Sequence, residues 1–124
     1  MPKRVLVIDD SRTVRILVRE VLEKAGYSVL EAADGKEGYD KINAEPDLAL
    51  AICDVNMPVM TGIGMLEALK GSANVPAVPI VMLTTEAQPA LIQKAKQAGA
   101  KGWIVKPFKA EHLLAAVNKL AGAA

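Results

Sequence analysis

The sequence predicts a single α/β domain built on a parallel sheet, for three reasons. Short apolar runs alternate with amphipathic helical patterns from end to end, as repeated βα units require. The runs are continuously apolar, as strands covered on both faces must be. Four of them stop at a residue able to handle a phosphate or a metal: residues 5–8 at Asp9-Asp10, 50–53 at Asp54, 80–83 at Thr84 and 103–105 at Lys106. Parallel strands all point one way, so residues just past their carboxyl ends gather at one edge, where such sheets bind ligands. Three carboxylates, a hydroxyl and an ammonium are thereby expected in one crevice.

Each element has its own signal. Val5 to Ile8 reads as the first strand. Ser11 caps the next segment, where Val14, Leu17, Val18, Val21 and Leu22 follow the stripe of a helix that buries one face, and Gly26 ends it. Ser28 to Ala32 is a short strand, and Asp34-Gly35-Lys36-Glu37 has capping-box spacing ahead of a weakly patterned helix reaching Asn43. Asp47 to Cys53 leads into the third strand; Thr61-Gly62 opens a helix carrying Ile63, Leu66 and Leu69. Residues 71–79 hold two prolines and read as a loop. After the fourth strand, Thr85-Glu86-Ala87-Gln88 repeats the capping-box spacing before Leu91, Ile92, Ala95 and Ala98, and Gly99 stops that helix. Lys101 to Val105 is the fifth strand. The last helix presents Leu113, Leu114, Val117 and Leu120, with Lys109 in the cap position, a choice that costs about 1 kcal/mol against a hydroxyl or amide. Five units account for all 124 residues, so one domain over 1–124 is expected, without linker, repeat or low-complexity tract.

Composition narrows the function. An apolar share of 52% with 23% charged residues is that of a globular chain. Formal net charge is +1 with both signs interspersed, so no basic stripe points to a nucleic acid or a membrane surface. Cys53 is the single cysteine, which excludes an intrachain disulfide and reads as a buried small hydrophobe. The first apolar stretch is cut short by two aspartates, too short for a signal-peptide core or a membrane span, and a cytoplasmic location is expected. His112, the only histidine, lies in the last helix and receives no proton-transfer role.

Taken singly, these site residues have ordinary roles: Asp9 and Asp10 as cap and solvated acid, Asp54 as a strand end, Thr84 as a cap, Lys106 as a surface lysine. Together they suit phosphoryl transfer. Asp9, Asp10 and Asp54 would repel one another, and a divalent cation removes the conflict; all-oxygen ligation with few carboxylates suits Mg²⁺. The Asp54 carboxylate can attack phosphorus in line and form an acyl phosphate once metal and ammonium neutralise the incoming oxygens.

Val7-Ile8-Asp9-Asp10-Ser11, Asp54-Val55-Asn56-Met57-Pro58 followed by Thr61-Gly62, Leu83-Thr84-Thr85-Glu86 and Lys106-Pro107-Phe108 resemble the receiver domains of two-component response regulators. The stand-alone chemotaxis messengers of the CheY type are the most similar group. The resemblance implies a single doubly wound (βα)5 flavodoxin-like domain with a five-stranded parallel sheet in the order 2-1-3-4-5. It implies that Asp54 accepts a phosphoryl group from the phosphohistidine of a sensor histidine kinase. Asp10, Asp54 and the backbone carbonyl of Asn56 would ligate Mg²⁺ directly, and Asp9 through water. Lys106 would bind the phosphoryl group across a cis Lys106-Pro107 peptide, and Thr84 would be the switch hydroxyl. Trp103 stands where the family has its switch aromatic, a bulkier ring than usual. Asn56 and Glu86 would flank the phosphoryl group and speed its hydrolysis.

The output implied is phosphorylation-dependent protein binding, most of all to the flagellar motor switch, with a phosphatase as a further partner. A phosphate sink or a regulator in another phosphorelay is the alternative. No separate metabolite is expected as substrate. A dehalogenase-type aspartyl phosphatase would want its nucleophile in a D-x-D pair after the first strand, which is absent here. A flavin phosphate would be repelled by Asp9-Asp10, and only four aromatics are available to sandwich its ring.

Overall fold

The computed structural model describes residues 3–45, 47–55, 57, 59–70, 78–85 and 88–122. Five strands and five helices alternate: β1 (Arg4–Ile8), α1 (Arg12–Lys24), β2 (Ser28–Ala32), α2 (Gly35–Ala44), β3 (Leu50–Cys53), α3 (Gly62–Lys70), β4 (Ile80–Thr84), α4 (Pro89–Gln97), β5 (Gly102–Val105) and α5 (Ala110–Ala121). All neighbouring strands pair in parallel, in the order β2-β1-β3-β4-β5. The flavodoxin-like order implied by the resemblance is therefore the one found. The chain leaves β1 toward one edge and then crosses to β3, which makes the gap between β1 and β3 a topological switch point.

Successive strand residues point to opposite faces, and the core is accordingly two layers. Val5, Val7, Leu50, Ile52, Val81 and Leu83 meet Val18 and Leu22 of α1 and Leu113 and Val117 of α5. Leu6, Ile8, Ala51, Cys53, Ile80 and Met82 meet Ile42 of α2, Met65, Leu66 and Leu69 of α3 and Ala95 of α4. Burying each large aliphatic side chain is worth roughly 1.5–3 kcal/mol, so the sheet is pinned on both sides and its carboxyl edge is rigid.

Local signals hold with instructive exceptions. Ser11 accepts from the Val14 N–H at 3.3 Å and Asp34 from the Glu37 N–H at 2.8 Å, both as N-caps. The Glu37 carboxylate reaches back to the N–H of Ala33, one residue before the cap. The capping box expected at Thr85 is not formed. The fourth helix begins at Pro89 with Gln88 as its cap and no side-chain cap bond, because proline fits the first helical position while forcing the residue before it into extended backbone. Leu17, expected in the apolar stripe, is 48% exposed, whereas Val18 and Leu22 of the same stripe are buried. With Val14, Val21 and Phe108 it lines an apolar groove beside Lys106. Most of the loop expected over 71–79 lies outside the described residues. Lys109 caps α5 with no side-chain bond, as expected.

Two glycines set how closely helices approach the site. A Cβ on Gly62 would stand 2.1 Å from the Asp54 carbonyl oxygen, and the Gly62 N–H donates to the Val55 carbonyl at 2.9 Å. A Cβ on Gly38 would meet the tip of Ile8 at 2.6 Å. Between β3 and α3, Val59 adopts a φ of 69° although it is β-branched and 82% exposed. Gly62→Ala must move backbone and is expected to destabilise by about 3 kcal/mol in urea unfolding, the upper end for overpacking. Gly38→Ala meets the buried Ile8 side chain and no backbone, so it should cost less; equal losses would contradict this reading.

Candidate functional site

The backbone ladder delivers the expected residues to one edge. Asp9 directly follows β1, Asp54 directly follows β3, Thr84 is the last residue of β4, and Lys106 directly follows β5. The ladder continues past the strand ends: the Asp9 N–H donates to Ala32 at 3.1 Å, the Asp54 N–H to Ile8 at 3.0 Å and the Lys106 N–H to Thr84 at 2.8 Å. Site and sheet are thus one rigid frame.

Side chains converge from there. Asp9, Asp10 and Asp54 each place a carboxylate oxygen within 4.8 Å of the others. Asp9 and Asp54 are buried, while Asp10 is exposed. The Lys106 ammonium bridges the two buried acids, 2.7 Å from Asp9 Oδ2 and 3.3 Å from Asp54 Oδ2. Asp9 Oδ1 accepts from the Ser11 N–H at 2.9 Å, so both its oxygens are engaged. Asp10 makes no hydrogen bond or ion pair among the described residues, which leaves its carboxylate available to a cation. The three acids that the sequence singled out for a cation are thus brought together. Close-set carboxylate oxygens are the hard donors that Mg²⁺ takes. Asn56 and Glu86, named for ligation and for hydrolysis, lie outside the described residues.

Electrostatics are uneven across the Asp9–Lys106 pair. Burial lifts the Asp9 carboxyl above its ordinary range; hydrogen bonds from Lys106 and Ser11 pull it back only in part, and Asp54 adds repulsion. Burial alone would lower Lys106, but the hydrogen bond and charge of Asp9, with Asp54 behind it, hold the ammonium above its ordinary value. The two shifts share a sign for different reasons: burial outweighs the ammonium at Asp9, whereas two carboxylates outweigh burial at Lys106. Beneath the site, burial pushes the Cys53 thiol up, and it donates to the Asp54 carbonyl at 3.2 Å. It is a buried small residue, as expected.

Thr84 is fully buried. Trp103 pairs with Met82 across β4 and β5 and is half-buried against the α2–α4 layer. The Lys106-Pro107 peptide is cis. His112 is exposed in the first turn of α5.

Sequence reasoning missed Arg15. Its Nη1 donates to the Asp9 carbonyl at 2.6 Å and its Nε to Glu31 at 3.0 Å, while Arg19 Nη1 holds the other Glu31 oxygen at 2.5 Å. The signal was present: two arginines four apart on one helix, and a single charged residue in the second strand.

A family model described as the response regulator receiver domain matches residues 5–118. The chain belongs to the response-regulator receiver family. Among relatives, chemotaxis protein CheY1 of Helicobacter pylori is 39% identical over 85% of this chain and 86% of its own length. A probable chemotaxis protein CheY of Rhizobium etli is 38% identical over 97% and 93%. The solved structure of chemotaxis protein CheY4 of Vibrio cholerae superposes with a TM-score of 0.88 at 42% identity, covering 97% of this chain and 99% of that one. This receiver is thus of the CheY type, in a family of signalling proteins. No helix among the described residues is long and apolar enough to cross a membrane.

The raised Asp9 carboxyl has a pH consequence. Between the ordinary aspartate value of roughly 4 and its raised folded value, the folded receiver binds more protons than the unfolded chain. Stability therefore falls as pH rises through that window. Glu31, held low by its two arginines despite partial burial, acts oppositely and only below the ordinary glutamate range. Without divalent metal, Asp9→Asn should raise the urea midpoint at neutral pH and flatten its decline above roughly pH 4. A lower midpoint than wild type at neutral pH would refute the direction.

Proposed function

We propose that residues 1–124 form a single receiver domain that accepts a phosphoryl group on Asp54 from the phosphohistidine of a sensor histidine kinase. It then signals by phosphorylation-dependent protein binding in chemotaxis, with the flagellar motor switch as target. The observation that carries this reading is the Asp54 carboxylate, 3.3 Å from the Lys106 ammonium and within 4.8 Å of carboxylate oxygens of Asp9 and Asp10. A protein phosphatase and a cytoplasmic location complete the picture. Sequence similarity to chemotaxis proteins along nearly the whole chain supports this pathway over a phosphate sink.

The chemistry follows from the groups present. One Asp54 oxygen attacks phosphorus in line, the P–N bond of the donor breaks, its electron pair leaves on the imidazole nitrogen, and an acyl phosphate remains. Lys106, already beside the acceptor oxygen, neutralises the phosphoryl oxygens on one side. Magnesium, when bound, would supply two further positive charges to the phosphoryl oxygens; Asp10, Asp54 and the Asn56 carbonyl would hold it, with Asp9 acting through water. Asn56 and Glu86 orient a hydrolytic water. Thr84 donates its hydroxyl to the new anion, and that shift biases Trp103 inward and reshapes the face formed by α4, β5 and α5.

A small acyl phosphate should label the wild type in the presence of Mg²⁺ and leave Asp54→Asn unlabelled at that position; label retained there would refute the acceptor assignment. Mg²⁺ at about a hundredfold over its dissociation constant should stabilise the fold by about 2.7 kcal/mol, a gain reduced in Asp54→Asn. Bulky apolar replacements at Asn56 or Glu86 should lengthen the phosphorylated half-life. A motor-switch peptide should bind more tightly when a stable phosphoryl mimic is present, with a change in the emission of Trp103, the only tryptophan. Equal affinity in both states would refute the switch.

A further inference from the structure

Asp10 offers the crevice its least restrained carboxylate. Asp9 is tied through both oxygens and its N–H, but Asp10 is exposed and its carboxylate has no partner among the described residues. Its position is therefore set by backbone alone, through the peptide plane that joins Asp9 to Asp10. One side chain grips that plane. Arg15 Nη1 donates to the Asp9 carbonyl oxygen at 2.6 Å, the acceptor that lies in the same peptide unit as the Asp10 nitrogen.

Arg15 is itself held. It is only 15% exposed, and its Nε donates to Glu31 at 3.0 Å on β2, the edge strand paired to β1. Glu31 is braced in turn by Arg19. The path from sheet edge to metal cup is continuous: β2 backbone, Glu31, Arg15, the Asp9–Asp10 peptide, Asp10. An arginine suits this task because its fork presents donors to two acceptors at a fixed angle, whereas a lysine offers one flexible point charge.

We infer that Arg15, anchored by Glu31, is a positioning residue that aims the Asp10 carboxylate at the divalent cation. The inference rests on the proposed Mg²⁺ site. It also predicts a sign that simple charge would not. Removing a cation beside an acidic cluster would by Coulomb attraction tighten binding of a dication; losing the brace weakens it. Outer groups that orient a metal's ligands typically contribute 10- to 100-fold to affinity.

The test is calorimetric titration of the purified full chain with Mg²⁺, well below the unfolding temperature, alongside urea unfolding in chelator. Arg15→Ala is expected to weaken Mg²⁺ binding about tenfold. Arg15→Lys should weaken it too although the charge is kept, and Glu31→Gln should fall between. Arg19→Ala removes contacts to the same glutamate without touching Asp9 and should bind like wild type. Unchanged or tighter binding in Arg15→Ala and Arg15→Lys would overturn the positioning role. So would weakening by Arg19→Ala equal to that by Arg15→Ala. If Arg15→Ala does not fold, Arg15→Lys and Glu31→Gln decide the matter alone. A wild type that takes up no Mg²⁺ overturns the proposed function and this role together, whereas normal wild-type uptake with unaffected variants overturns this role only.

Discussion

The structure turns on an unresolved charge balance. A parallel sheet forces the ends of β1 and β3 together at the switch point, and both ends carry aspartate. Three carboxylates share the crevice with one bridging ammonium, so the site is short of positive charge by two. A dication is the charge that would balance such a cup, leaving it neutral and no longer repellent to an incoming anion. Burial sharpens the need, because charges withdrawn from water interact more strongly with one another. The fold supplies the frame against this repulsion through its two apolar layers.

That arrangement places function and stability in opposition. Burial disfavours the charged form of Asp9, and Asp54 and Thr84 are the other buried polar residues, in positions where apolar side chains would avoid the cost of desolvation. Natural sequences commonly keep such destabilising groups where activity needs them. The surrounding layers are correspondingly thorough: every residue of β3 and β4 is buried.

How much was legible in the sequence follows from the same physics. Strands covered on both faces read as unbroken apolar runs, so the polar residue ending each run was visible, and with it Asp9, Asp54, Thr84 and Lys106. Strand order leaves no such trace and came from the resemblance. The fourth helix was placed too early because Thr85 to Gln88 satisfied a spacing rule, while Pro89 fixed the true start. Leu17 fitted the periodic stripe, but helix orientation on the sheet left it at the boundary. The Arg15–Glu31 brace joins residues far apart in the chain through long polar side chains, and hydrophobic periodicity cannot register such a contact.

Val59 has a consequence for the segment that follows the acceptor. A β-branched residue in left-handed backbone is disfavoured by on the order of 1–2 kcal/mol, and at 82% exposure it recovers almost nothing from packing. The Gly62 N–H to Val55 carbonyl bond, which closes the turn around it, helps to keep it there. The closing bond therefore offsets a local backbone cost, and its loss would let Val59 relax into ordinary extended backbone.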